Sequence, residues 1–118
     1  MNIDTMQAGP EMDALVATKV MGWSRDSWAE TEGWEAGVRF TGHWKEAPTA
    51  LQFAFRPSTN IAHAFEVMEK VGGMTLTQYG DRWACAAERE PMLEMMDMRY
   101  GETAPLAICR AALAAVTT

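Results

Sequence analysis

Residues 101–116 read GETAPLAICRAALAAV, and the fold turns on how this apolar run is used. Thr103 is a good N-cap, and Pro105 falls in the first turn, where a missing N–H costs nothing, so the run begins as a helix should. At 100° per residue Leu106, Cys109, Leu113 and Val116 form one stripe, with Ile108 and Ala112 at its flank and Arg110 pointing away. Cys109 therefore reads as a small core hydrophobe. The outward side carries Ala107, Ala111 and Ala114 with Arg110 as its one charge, and so bare a face predicts self-association.

Working outward, the chain has 118 residues, the size of one ordinary domain. Five Trp, ten Met and 48% apolar residues argue against disorder and for a packed interior with adaptable filler. A net charge of -6 without any Lys/Arg cluster disfavours nucleic acid as a partner. Cys85 and Cys109 form no C-x-x-C and are expected to be reduced. With no signal-peptide pattern and no apolar stretch of membrane-spanning length, the expected location is the cytoplasm.

Residues 1–11 are polar, carry no usable period and read as a flexible leader, leaving 12–118 as a single domain. In the first helix Met12, Leu15, Val16 and Trp23 share a face, Gly22 is placed to end it, and Lys19 falls inside the apolar stripe, where its stem can lie on the core while the ammonium reaches out. Trp34, Ala36, Val38 and Phe40 alternate with polar residues as a strand, and Leu51, Phe53 and Phe55 as its hairpin partner. Ser58 to Asn60 offer caps to a helix with the stripe Ile61, Ala64, Phe65, Met68 and Val71, stopped by Gly72-Gly73. Met74 and Leu76, then Trp83, Cys85 and Ala87 beyond a Gly80-Asp81 turn, predict a second hairpin. The expected fold class is α/β: a three-layer α-β-α sandwich in the order α-β-β-α-β-β-α, with a four-stranded, mostly antiparallel sheet whose small outer residues let helices cover both faces.

Three segments, MDALVATKVMGW, PSTNIAHAFEVMEKV and ETAPLAICRAALAAV, resemble in order and spacing the small phage and prophage proteins of the phage ABA sandwich domain family. The likeness is strongest over Lys19 to Trp23 and Thr103 to Leu113. It implies helix, sheet and helix layers and a phage or prophage origin; it carries no catalytic residues, and the methionine-rich PMLEMMDMRYG departs from the usual pattern.

Chemistry is hard to find in the residues themselves. His63 lies opposite Phe65 and Met68 and is expected in solvent, and His43 sits in a connection, so no metal-ligand spacing arises. No G-x-S-x-G elbow or phosphate-binding glycine loop is present, and thiols on apolar faces are inert. Paired acids such as Asp26 with Glu30, Glu32 with Glu35 and Glu88 with Glu90 read as solvated surface. Neither a catalytic set nor a cofactor is expected.

Two features exceed the needs of a small core. Trp28 and Trp44 fall in connections where an indole is partly exposed, and Met92, Met95, Met96 and Met98, flanked by Leu93 and Tyr100, form an adaptable apolar segment. These residues are the expected partner-binding set. The function they suggest is a non-enzymatic phage protein that binds a host protein, such as a component of a CRISPR or other antiviral defence. The alternative is a small-molecule binder in which tryptophans stack a nucleotide and Lys19, Arg25, Arg39, Arg56 or Arg82 meets its phosphate. A two-fold homodimer through the last helix and the methionine segment is the expected assembly.

Overall fold

In a computed structural model of the chain the described residues are 3, 5–24, 32–35, 38–41, 44, 46–48, 51, 55–89, 94, 95 and 98–117; the side chains of 32–35, 38–41, 88, 89, 94, 95 and 117 lie outside the description. Helix α1 spans Pro10–Leu15, with Pro10 at its start, where φ is already helical and no N–H is wanted. Ahead of it Ile3 and Met6 pack against the core, and Arg110 donates to the Met6 carbonyl at 2.8 Å.

From Val16 to Val20 the helix widens into a π turn, with the Met21 N–H reaching the Val16 carbonyl at 3.0 Å. The extra residue in this turn breaks the uniform 100° count. Met12, Val16, Ala17 and Val20 are buried, whereas Lys19, expected within the stripe, is carried out to solvent. Gly22, at φ 75°, ends the element as its sequence predicts.

Strands β1 (Glu32–Glu35) and β2 (Val38–Thr41) pair antiparallel, with Trp34 opposite Arg39 and Glu35 opposite Val38. The alternating run expected as one strand is therefore two arms of a tight hairpin, and the pair stands apart from the main sheet. Of the run expected as its partner, the described residues Leu51, Phe55 and Arg56 are not in a strand. Leu51 closes a turn on the Pro48 carbonyl at 2.8 Å, and the Arg56 N–H goes to His63 Nδ1 at 2.9 Å instead of to a neighbouring strand. Phe55, which a sheet would place among cross-strand neighbours, packs edge-on to Trp23 at 4.8 Å. Residues 52–54 lie outside the described residues.

Helix α2 (Ile61–Val71) starts at Asn60, whose Oδ1 accepts from the Ala62 N–H at 2.9 Å and the His63 N–H at 3.2 Å. Replacing Asn60 with alanine strands those donors and is expected to lower stability by about 1 kcal/mol in urea unfolding. The buried stripe is rotated from the expected one: Ala64 and Val67 are buried, while Ile61 and Phe65 are 42% and 50% exposed. His63 explains the rotation. The imidazole, expected in solvent, is half-buried, accepts from Arg56 and stacks on Phe55 at 5.8 Å, which fixes the face that α2 presents inward.

Strands β3 (Met74–Tyr79) and β4 (Arg82–Arg89) form the second expected hairpin, from Met74 opposite Ala87 to Tyr79 opposite Arg82, turning at Gly80 with φ 62°. Two short strands, β5 (Glu94–Met95) and β6 (Arg99–Gly101), share the other edge of β4. Between Cys85 opposite Arg99 and Glu88 opposite Met95, three steps along β4 match four on the other side, so one extra residue interrupts that edge. Among the described residues the main sheet is thus antiparallel, with β3 on one side of β4 and β5 and β6 sharing the other.

Helix α3 (Ala104–Thr117) is capped by Thr103, whose Oγ1 accepts from the Leu106 N–H at 3.3 Å. It packs on β4 and β6 with one side and against α2 and the π turn with another. Consequently Ala107, Ala111 and Ala114, expected to be a bare outward face, are buried with Leu106, Ile108, Cys109 and Leu113. Their small side chains let both layers close on the helix, which removes that face as a dimer surface. Among the described residues helices cover one face of the sheet, not both; α3, not the sheet, is the middle layer.

Candidate functional site

Register decides which strand residues look away from α3. Gly101 lies against Leu106 and Ala107 of α3, and its cross-strand partner Trp83 shares that inner face with Cys85, Leu76 and Met74. The alternate residues Thr75, Thr77 and Tyr79 of β3, Arg82, Ala84 and Ala86 of β4, and Tyr100 of β6 make up the outer face. Ala84 lies between Thr77 and Tyr100 and is fully buried by its surroundings, while Tyr79 and Tyr100 stand 52% and 42% exposed. The Arg82 guanidinium sits 4.6 Å from the centre of the Tyr100 ring, a cation–π contact that holds both side chains in place. The result is two phenols and one cation standing exposed beside alanines, Ala84 and Ala86, that are fully buried.

A second polar group lies between α1 and α2. The Ser58 N–H donates to Asp13 Oδ1 at 2.8 Å, and Ser58 Oγ accepts from the Gly9 N–H at 2.9 Å. Burial raises the Asp13 carboxyl from 3.8 to about 6, opposed by the Ser58 hydrogen bonds and the Arg56 charge. Burial also lowers His63, with Arg56 adding to the effect. Arg56 Nε is buried without a hydrogen-bond partner. Desolvation raises the Cys85 thiol to about 11 and pushes Cys109 well up, with Asp13 and Cys85 adding to the latter. The histidine Nδ1 is occupied by the Arg56 N–H, and burial holds both thiols protonated. An activated nucleophile needs a base within hydrogen-bond reach and a lowered pKa, the reverse of this arrangement. Among the described residues no group of three or more His, Cys, Asp or Glu is placed to hold a metal ion.

The residues singled out in the sequence are distributed unevenly. Arg82 and Tyr100, chosen for different reasons, meet on the outer sheet face, with half-buried Met98 directly before β6. Tyr79 was missed, although its parity with Thr75 and Thr77 on one strand places it on the same face. Trp44, expected to be partly exposed, is a core residue at 6% exposure, because its connection carries the indole onto the hydrophobic cluster. Lys19 and Arg56 sit on other elements, the π turn and the approach to α2. Trp28, Met92, Met96 and Arg25 lie outside the described residues, as do the side chains of Arg39 and Met95.

No helix among the described residues is long and apolar enough to cross a membrane. None of the curated proteins matches the chain. One solved structure to which it is similar is the 2.0 Å crystal structure of a phage protein from Bacillus cereus ATCC 14579, with 23% identity, 95% of each chain covered and a TM-score of 0.63. That likeness shows the fold. The sequence profile of the phage ABA sandwich domain matches residues 14–113, from within α1 to the last turns of α3, and the chain therefore belongs to the phage ABA sandwich domain family.

Proposed function

We propose that this phage-family domain is a non-enzymatic binding protein that holds a protein partner against its outer sheet face. The observation that carries this reading is the Tyr79, Arg82 and Tyr100 arrangement, in which two exposed phenols and an arginine share one sheet face and the arginine is stacked on the Tyr100 ring. Tyrosine and arginine dominate the energetics of protein interfaces, since they bury large area and still satisfy a hydrogen bond at the rim. A stacked guanidinium also loses less freedom on docking than a loose one. In a phage setting the partner is a host protein in the bacterial cytoplasm, and a component of an antiviral defence system such as a CRISPR complex is the class to try first.

The test is capture from lysate of the phage's host with three tagged proteins: wild type, a Tyr79→Ala/Tyr100→Ala variant, and a Phe65→Ser variant that alters the exposed apolar pair on α2. A partner held by wild type and by the Phe65 variant, and released about 30-fold or more from the tyrosine variant, is the expected result, since hot-spot residues are worth ~2 kcal/mol or more each. Retention by the tyrosine variant, or loss only with Phe65→Ser, moves the site elsewhere.

A further inference from the structure

Two amide N–H groups on either side of Pro57 are each held by a titratable side chain from a different helix. The Arg56 N–H donates to His63 Nδ1 of α2 at 2.9 Å, and the Ser58 N–H donates to Asp13 Oδ1 of α1 at 2.8 Å. The two acceptors answer a proton differently. A carboxyl group keeps a lone pair for the Ser58 N–H in either state, whereas Nδ1 of an imidazolium carries its own hydrogen and can only donate. Acid therefore breaks one bond and leaves the other in place.

What is anchored on each side of Arg56 gives that loss a direction. Downstream, the Arg56 carbonyl accepts from the Thr59 N–H at 3.2 Å and the Asn60 N–H at 2.9 Å, and Ser58 Oγ accepts from the Gly9 N–H at 2.9 Å, contacts between groups that do not titrate. Upstream, buried Phe55 is stacked on the imidazole at 5.8 Å and lies edge-on to Trp23 at 4.8 Å. We propose that Arg56 is an acid-released hinge: a proton on His63 frees the Phe55 side of the chain from α2 while the turn on the Ser58 side stays closed. The hinge needs no partner and stands apart from the docking reading above.

Among the described residues Arg56 is the charged group that bears on the ring, so the imidazolium is also repelled by the residue whose N–H it no longer accepts. Lys19 of the π turn and Glu66 and Lys70 of α2 itself are exposed, Asp13 of α1 is bound to Ser58, and Arg110 of α3 is turned to the Met6 and Tyr100 carbonyls. Burial, with Arg56 adding to it, holds the imidazole below 6.5. The unfolded chain takes up the proton first, so the stability of the neutral ring is fully present above pH 6.5 and is lost as pH falls through the lowered folded value. Asp13, raised by its own burial, runs in the opposite sense.

Nuclear magnetic resonance of the isotope-labelled chain, titrated with acid from above pH 6.5, tests the hinge in wild type. The Arg56 amide proton is expected to move upfield as it loses its acceptor, with the same midpoint as the His63 ring, and the Ser58 amide proton not to share that midpoint. In His63→Asn, whose amide oxygen stands where Nδ1 was and does not titrate, the Arg56 amide is expected to hold its shift. Urea unfolding gives a second measure: the folding constant of His63→Asn relative to wild type is expected to rise by up to about tenfold per pH unit below 6.5, the effect of one proton. An Arg56 amide that ignores the His63 midpoint or still titrates in His63→Asn, a Ser58 amide that moves upfield with the ring, or a ratio of folding constants that is flat with pH overturns the proposal.

Discussion

Replacing Gly101 with alanine is expected to destabilise the protein by about 3 kcal/mol, the upper end of the usual cost of forcing an extra methyl into a packed interior. A Cβ at this position falls 2.7 Å from the Ala107 backbone nitrogen and 3.1 Å from Leu106 Cβ. The obstacle is the backbone of the first turn of α3, which cannot swing aside as a flexible side chain would. Relief requires β6 to lift off α3, and β6 is tied there by Arg110, which donates to the Tyr100 carbonyl at 2.7 Å. Gly80→Ala is the instructive comparison. At Gly80 a Cβ meets nothing within 4 Å, but φ is +62°, so the cost is backbone strain alone, about 1 kcal/mol. Urea midpoints should rank Gly101→Ala well below Gly80→Ala, and the opposite order would mean that β6 and α3 do not approach as described.

The second large effect is a dependence on pH with the opposite sign to the ordinary carboxylate. Asp13 is 8% exposed, and burial lifts its carboxyl from 3.8 to about 6. Because the folded value lies above the unfolded one, the folded protein keeps a proton across that window which the unfolded chain releases. The stability this group contributes is fully present below pH 3.8 and is lost as pH rises through about 6. At 1.36 kcal/mol per pH unit, the loss is complete at about 3 kcal/mol by pH 7.5. Carboxylates with depressed values act in the reverse sense, so the comparison is with Asp13→Asn, whose amide oxygen still accepts from the Ser58 N–H. The variant is expected to be the more stable protein at pH 7.5 by about 3 kcal/mol, with the gap closing near pH 4. Thermal unfolding at several pH values measures it, and a gap that does not change with pH rules out a buried protonated Asp13.

Signals confined to a few residues could be read directly. Thr103 caps α3, Asn60 lies within the cap region named for α2, Gly22 ends the first helix, and the Gly80-Asp81 turn joins β3 to β4. What the residues could not convey were choices that depend on the rest of the molecule. Alanine serves equally at a bare surface and at a crowded contact, so the Ala107, Ala111 and Ala114 row does not reveal that a second layer covers it. A two-residue connection preserves alternation, which is why β1 and β2 looked like one strand. The π turn shifts every later angle, and Lys19 with it. For the candidate site, Tyr100 and Arg82 were nominated separately, and only the pairing of β4 with β6 shows that they touch.

Arg110 binds the carbonyls of Met6 and Tyr100, and the helix that carries it lies between the main sheet on one side and α2 and the π turn on the other while following them in the sequence. During synthesis on the ribosome, Met12, Val16, Val67 and Cys85 therefore emerge before the element that shields them. A chain truncated ahead of Ala104 loses the helix on which the sheet, α2 and the π turn all pack, and is expected to expose these apolar residues rather than fold.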